Sequence, residues 1–237
     1  MKEVNGIYET IRCYKNKVWN YAAHYRRLNQ SAQLTGLNLS ISKSELLSKI
    51  TKKLNQTGFT NSRIRLTLKH PNQLTIDCNE IPNKKLSSKL VTFKGSRQIP
   101  QIKNNDRLIE EQGLLLAQQQ NALDAILINS KNQITEGTIT NFFAVKNNII
   151  YTAKSSILPG TTRAKVIKIA RKLNLKIVYK KVHLNQLSEL DECFVCNSIK
   201  QIVPIFRIDQ HQLKRENPVT QTIKEMFDRE FEEFCNQ

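Results

Sequence analysis

Residues 135–163, TEGTITNFFAVKNNIIYTAKSSILPGTTR, constrain the fold more than any other stretch, because they demand two strands and a helix in close succession. Residues 141–145 form a strand-like run, Lys-Asn-Asn follows as a turn, and Ile149 to Thr152 returns as a second strand. After a short loop, Pro159-Gly160 makes another turn and Thr161-Thr162 opens a helix. Hydroxyls and free backbone N–H groups at a helix start favour an anion. Ahead of the first strand, Glu136-Gly137 sets a carboxylate at a turn. An acid and an anion-favouring helix start therefore stand one hairpin apart, which reads as half of a cofactor site.

The remaining periodicities predict an α+β protein divided near residue 95. Strands at 7–14, 18–21, 63–68 and 74–77 with helices at 24–34 and 43–54 make a small unit over residues 1–94. Residues 95–102 read as an interdomain connection. Residues 103–237 make a larger domain. It opens with a helix over 106–120 whose apolar side is marked by Leu108, Leu115 and Leu116, followed by a strand over 125–129 and the hairpin. A helix carrying Val166, Ile167, Ala170 and Leu173 comes next. Strands over 175–182, 193–196 and 202–208, a short helix near Leu187 and an acidic, amphipathic helix over 222–234 complete it.

Charge restricts the partners. Lys and Arg number 37 against 20 acids, a formal net charge of +17, which raises nucleic acid as a partner. The basic residues are spread along the whole chain instead of forming one arm, so nucleic acid is disfavoured, and an anionic small substrate is served by the same field. Five scattered cysteines and the lack of a secretory leader point to a reducing cytosol. No apolar run approaches the roughly 18 residues that span a bilayer, so no membrane location is expected. Cys193 and Cys196 form a CxxC with no second CxxC or paired histidines at ligand spacing. Within a buried strand they read as small hydrophobes, and no metal is expected.

Five segments in order resemble the class IV aminotransferases, the pyridoxal-phosphate fold that includes branched-chain and D-amino-acid transaminases and aminodeoxychorismate lyase. They are Gly6-Ile7-Tyr8-Glu9-Thr10-Ile11-Arg12, the helix from His24-Tyr25-Arg26-Arg27-Leu28 to Ser31-Ala32, Ile102 to Leu108, Glu136 to Phe142 with Leu158 to Arg163, and Val195 to Pro204. The resemblance implies a two-domain fold type IV enzyme: a small N-terminal α/β domain, a larger mixed α/β barrel-like domain, a homodimer, and pyridoxal 5'-phosphate as cofactor. It puts Lys103 in the place of the Schiff-base lysine, an amine suited to reversible imine formation and proton transfer. Glu136 takes the place of the carboxylate that pairs with the pyridine N–H, braced by Asn141. Arg27, Thr161, Thr162, Asn197 and Ser198 correspond to the phosphate end, Arg26 facing solvent. On the substrate side stand Tyr8 and Arg65, while His24 packs its helix.

The chain also departs from the family pattern. It begins close to the opening strand, Leu108 replaces the tyrosine of branched-chain enzymes, and Lys69-His70-Pro71 stands where many relatives have a glycine-rich, arginine-containing loop. The leading expectation is a cytoplasmic aminotransferase exchanging an amino group between a small amino acid and a 2-oxo acid. A lyase releasing pyruvate and 4-aminobenzoate is the alternative, which Arg107-Leu108 favours and Glu9, where some lyases carry threonine, opposes. A basic nucleic-acid-binding protein on a transaminase-like scaffold is the third.

Overall fold

The computed structural model of the chain describes residues 4–236. Contacts divide it into two compact units. The first comprises residues 1–84, 101–106 and 230–237, and the second residues 85–100 and 107–229.

In the first unit, β1 (Ile7–Tyr14) and β2 (Lys17–Val18) form a hairpin, followed by α1 (Tyr21–Thr35) and α2 (Lys43–Thr57), then β3 (Asn61–Lys69) and β4 (Gln73–Glu80). The antiparallel sheet runs β2-β1-β3-β4. Alternation puts Ile7 and Ile11 of β1 and Ile64, Leu66 and Leu68 of β3 into its core. The strand expected over 18–21 stops at Val18, because Asn20 turns into the left-handed region and Tyr21 already begins α1. Ser42 caps α2 by accepting from Glu45 N.

Residues 101–106 join this unit through the backbone. Tyr8 N donates to Lys103 O at 2.8 Å and Asn105 N to Gly6 O at 3.0 Å. At the other end of the chain, Trp19 packs edge-on against Phe231 and Phe234. The units are thus interleaved, where the sequence suggests one linear cut at residues 95–102.

The second unit begins with β5 (Lys89–Lys94), a strand the sequence reading passed over, and continues with α3 (Leu108–Gln119), β6 (Asp124–Ile128), β7 (Ile134–Gly137), β8 (Asn141–Lys146) and β9 (Ile149–Thr152). Then come α4 (Thr161–Lys172), β10 (Ile177–Tyr179), a 3-10 turn (Leu184–Glu189), β11 (Glu192–Asn197), β12 (Gln201–Ile205), β13 (Arg207–Ile208), β14 (His211–Gln212) and α5 (Pro218–Asn236). One sheet has the order β10-β9-β8-β11-β12 and the other β14-β13-β5-β6-β7. β5 groups here because it pairs in parallel with β6.

The run expected as one strand over 202–208 breaks at Phe206, so β12 pairs with β11 in one sheet and β13 with β5 in the other. Only residues 177–179 of the strand expected over 175–182 pair as such. Phe143 and Phe194, opposite each other in register, stack at 4.7 Å in the core. Cys193 and Cys196 lie three apart on β11 and so point to opposite faces; burial pushes both thiols up, Cys196 to about 12.

One face assignment is corrected. Leu108 and Leu115 of α3 are 66% and 55% exposed, and the helix buries Glu110, Gly113 and Ala117 instead. A Cβ on Gly113 would run into the Thr138 methyl group and touch Ala125 and Phe93, so the helix approaches β5 and β6 through its smallest residue.

Candidate functional site

The first unit gathers Tyr8, Arg27, Arg65 and Lys103 around β1. Tyr8 is buried, and its ring receives two cations: the Arg65 guanidinium carbon at 3.8 Å and Lys103 Nζ at 4.6 Å from the centroid. Arg65 reaches it from β3, where it faces Thr10 across the ladder. Arg65 is therefore packed on Tyr8, half-buried, instead of extending freely into solvent.

Arg27 projects inward from α1 and forks onto Glu9 of β1: Nε donates to Oε1 at 2.6 Å and Nη2 to Oε2 at 2.7 Å. His24, one turn earlier, places Nδ1 2.7 Å from Glu9 Oε2. Burial raises the Glu9 pKa, but the Arg27 charge and the hydrogen bonds from Arg27 and His24 outweigh it and hold the carboxyl at about 2. Burial pushes His24 below its ordinary value despite Glu9, with Arg27 and Lys103 adding to the depression. His24 is accordingly neutral at pH 7, with its Nδ1–H donated to the carboxylate. Sequence reading gave Glu9 no structural role and treated His24 as packing. Their spacing to Arg27 carries no signal until β1 and α1 are docked.

The second unit holds Glu136, Thr161, Thr162, Asn197 and Ser198. Glu136, 2% exposed at the end of β7, accepts from Arg97 Nε at 2.7 Å and Leu158 N at 2.9 Å on Oε1, and from Asn141 Nδ2 at 3.1 Å on Oε2. Asn141 Nδ2 also donates to Leu158 O at 3.0 Å. Its carboxamide thus pins the acid to the loop that starts α4. Gly160 caps that helix, no side chain caps it, and its first turn has no acid, so its dipole and first N–H groups suit an anion beside the buried Thr161 and Thr162. A Cβ on Gly160 would strike Asn141 Oδ1, so the loop can lie this close only with glycine.

Below Glu136, the fully buried Asp124 shapes the turn. It accepts from Thr138 Oγ1 at 2.5 Å, Thr140 Oγ1 at 2.7 Å, Ile139 N at 3.2 Å and Ala125 N at 2.8 Å. Burial raises its pKa against these donors. A Cβ on Gly137 would meet Asp124 and Thr140, which accounts for Gly-Thr-x-Thr after the acid. Asn197 joins the same assembly: Nδ2 donates to Ile139 O at 3.2 Å, while Oδ1 accepts from Ile199 N at 3.0 Å and Lys200 N at 2.7 Å. Its amide braces the β11–β12 turn that presents the half-buried Ser198.

Arg97 is the main residue that sequence reasoning missed. Its Nη1 donates to Glu110 Oε1 at 2.6 Å and its Nη2 to Thr138 O at 2.8 Å, in addition to the bond to Glu136. It lies in a stretch that reads as a connector, where an arginine after Gly-Ser carries no pattern.

A buried acid thus stands beside an anion-favouring helix start on the two-sheet scaffold of the second unit. The chain belongs to the class IV aminotransferase family, whose model matches residues 6–208. It is 30% identical over 240 residues to a probable branched-chain-amino-acid aminotransferase of Thermotoga maritima, spanning 96% of this chain and 87% of that protein. To a D-alanine aminotransferase of Listeria monocytogenes it is 28% identical, spanning 98% and 89%. A Legionella pneumophila structure assigned as a 4-amino-4-deoxychorismate lyase superposes with a TM-score of 0.89 over 95% of this chain and 91% of that one. At 23% identity that likeness is one of fold. Pyridoxal phosphate is the cofactor of the family.

Proposed function

We propose that the chain is a pyridoxal-phosphate-dependent aminotransferase that moves an amino group between a small amino acid and a 2-oxo acid, as a cytoplasmic homodimer. The observation that carries this reading is the Asn141 carboxamide, which holds the Glu136 acid and the start of α4 in one assembly. The donor set fits the cofactor's two polar ends: a carboxylate suits a ring N–H⁺, and an acid-free helix start suits a phosphate dianion. When bound, pyridoxal phosphate supplies an aldehyde that takes up the amino group and a ring that accepts the electrons released at the substrate's α-carbon.

The chain's own residues divide the remaining work. Lys103 would hold the cofactor through Nζ and carry a proton to and from the substrate carbon, its amine kept against the Tyr8 ring. Glu136 would keep the ring nitrogen protonated. Thr161, Thr162, Asn197, Ser198 and Arg27 serve the phosphate end, Asn197 by shaping its turn and Arg27 from its Glu9-bound position. Tyr8 and Arg65 line the substrate side. Among the described residues no helix is long and apolar enough to cross a membrane.

The test is a spectrum of the purified protein incubated with pyridoxal phosphate, then with a panel of amino acids. A visible band that bleaches with a small amino acid, and is absent from Lys103→Ala, is the expected result. Wild-type protein without the band, or full turnover by Lys103→Ala, would overturn the reading. Pyruvate release from aminodeoxychorismate with no oxo acid added would move the assignment to the lyase.

A further inference from the structure

Arg97 is shared between two carboxylates in a way that protein stability alone does not require. Its guanidinium, 7% exposed, spends Nε on Glu136, Nη1 on Glu110 and Nη2 on the Thr138 carbonyl. Glu110, 5% exposed, sits in the first turn of α3 and points to the protein interior. Each buried carboxylate loses its hydration, so a second acid on one guanidinium is a cost that a single Arg–Glu pair avoids. The first unit shows the cheaper solution, where Arg27 forks onto Glu9 alone with a neutral histidine beside it. In the second unit two carboxylates instead share the Arg97 guanidinium, and the more distant Arg163 charge also reaches Glu136.

Coulomb's law fixes the consequence. A guanidinium devoted to Glu136 would satisfy most of its negative charge and weaken its hold on any cationic N–H group. Glu110 draws off part of that field while Arg97 still clamps Glu136 in place through Nε.

We propose that Arg97 and Glu110 are positioning residues that act through Glu136: Arg97 fixes the orientation of its carboxylate, and Glu110 restores its strength as a partner for the protonated ring nitrogen of the cofactor. The proposal rests on Glu136 facing that nitrogen, as in the function proposed above.

The test compares the full-length protein's affinity for pyridoxal phosphate with its affinity for the analogue bearing carbon in place of the ring nitrogen. Both are followed by quenching of the single tryptophan, Trp19. The ratio of the two affinities isolates the ring-nitrogen contact, which a general loss of folding or phosphate binding leaves unchanged. Glu110→Gln is expected to lower the ratio about tenfold, a change the size of one charge-assisted hydrogen bond. Glu110→Asp, which keeps the charge, is expected to restore most of it.

An unchanged ratio in a folded Glu110→Gln protein, or equal loss for both ligands, would overturn the proposal. Should Glu110→Gln fail to fold, Glu110→Ala is read instead, with the same fall in the ratio expected because it too returns the whole Arg97 charge to Glu136; an unchanged ratio again overturns it. Failure of the underlying reading looks different: Glu136→Gln would then keep the wild-type ratio.

Discussion

In the first unit one arginine faces one carboxylate and a neutral histidine, whereas in the second one arginine is divided between two carboxylates. The same side chains are used to opposite ends. The Glu9–Arg27–His24 group sums to zero charge, with both Glu9 oxygens committed to Arg27 and one also to His24. The Arg97–Glu110–Glu136 group sets two carboxylates on one guanidinium, beside a helix start that favours anions, and the Arg163 charge also reaches Glu136. The first group locks α1 to β1, whereas the second divides one cation between two acids.

The largest effect expected from that difference is on stability in the first unit. Glu9→Gln removes the charge that lets Arg27 stay buried, and breaking a buried pair from one side costs about 3–5 kcal/mol. Urea denaturation at pH 7 measures it, and a loss under about 1 kcal/mol would show that the cluster is no lock. The pH dependence must agree in sign. Glu9 is held at about 2 against an ordinary value of 4.5, so its stabilisation is present above pH 4.5 and is lost as the pH falls towards 2. In magnitude this is roughly 3 kcal/mol. His24, held below 6.5, adds to the loss from the acid side, because the unfolded chain takes up its proton first as the pH falls through 6.5. Glu9→Gln should therefore flatten the acid limb below pH 4.5 and leave the histidine limb.

These clusters also mark the limit of what the chain disclosed before folding. The order of strands and helices follows from period-2 and period-3.6 patterns, and β1 and β9 have the expected bounds because turns close them on both sides. The candidates Lys103, Arg27, Glu136, Thr161, Thr162 and Ser198 come from ordered motifs that the chain displays in its sequence. Arg97 and Glu110 were not legible there, since Arg97 is 39 residues from Glu136 and 13 from Glu110 by number, and it brings the two acids together only when α3 and β7 are assembled. The interleaving of the units was hidden for the same reason: parallel pairing of β5 with β6 and the Tyr8–Lys103 backbone bond are long-range facts.

A smaller, differently distributed effect is expected in the second unit. Gly160→Ala pushes a methyl group into Asn141 Oδ1, on the carboxamide whose Nδ2 ties Glu136 to the α4 start. Overpacking of this kind costs about 1–3 kcal/mol, read in the same denaturation experiment. The sharper readout is affinity for pyridoxal phosphate, expected to fall more than tenfold because both polar ends move together. A variant that loses the stability and keeps the affinity would reduce the second cluster to another lock, and the contrast between the units would collapse.

The smallest effect separates the two faces of α3, the helix that delivers Glu110. By hydrophobicity Leu115 should matter and Gly113 should not; by burial the order is reversed. Leu115 is 55% exposed, so Leu115→Gln should change the stability of the chain by no more than about 0.5 kcal/mol, measured at a protein concentration low enough to exclude self-association. Gly113→Ala, at the close approach to Thr138 and Ala125, should cost more than that although it improves helix propensity. If Leu115→Gln proves the more damaging at every concentration, α3 is docked through its leucines. Glu110 would then be turned away from Arg97, and the second cluster would be left with the same one-to-one pairing as the first.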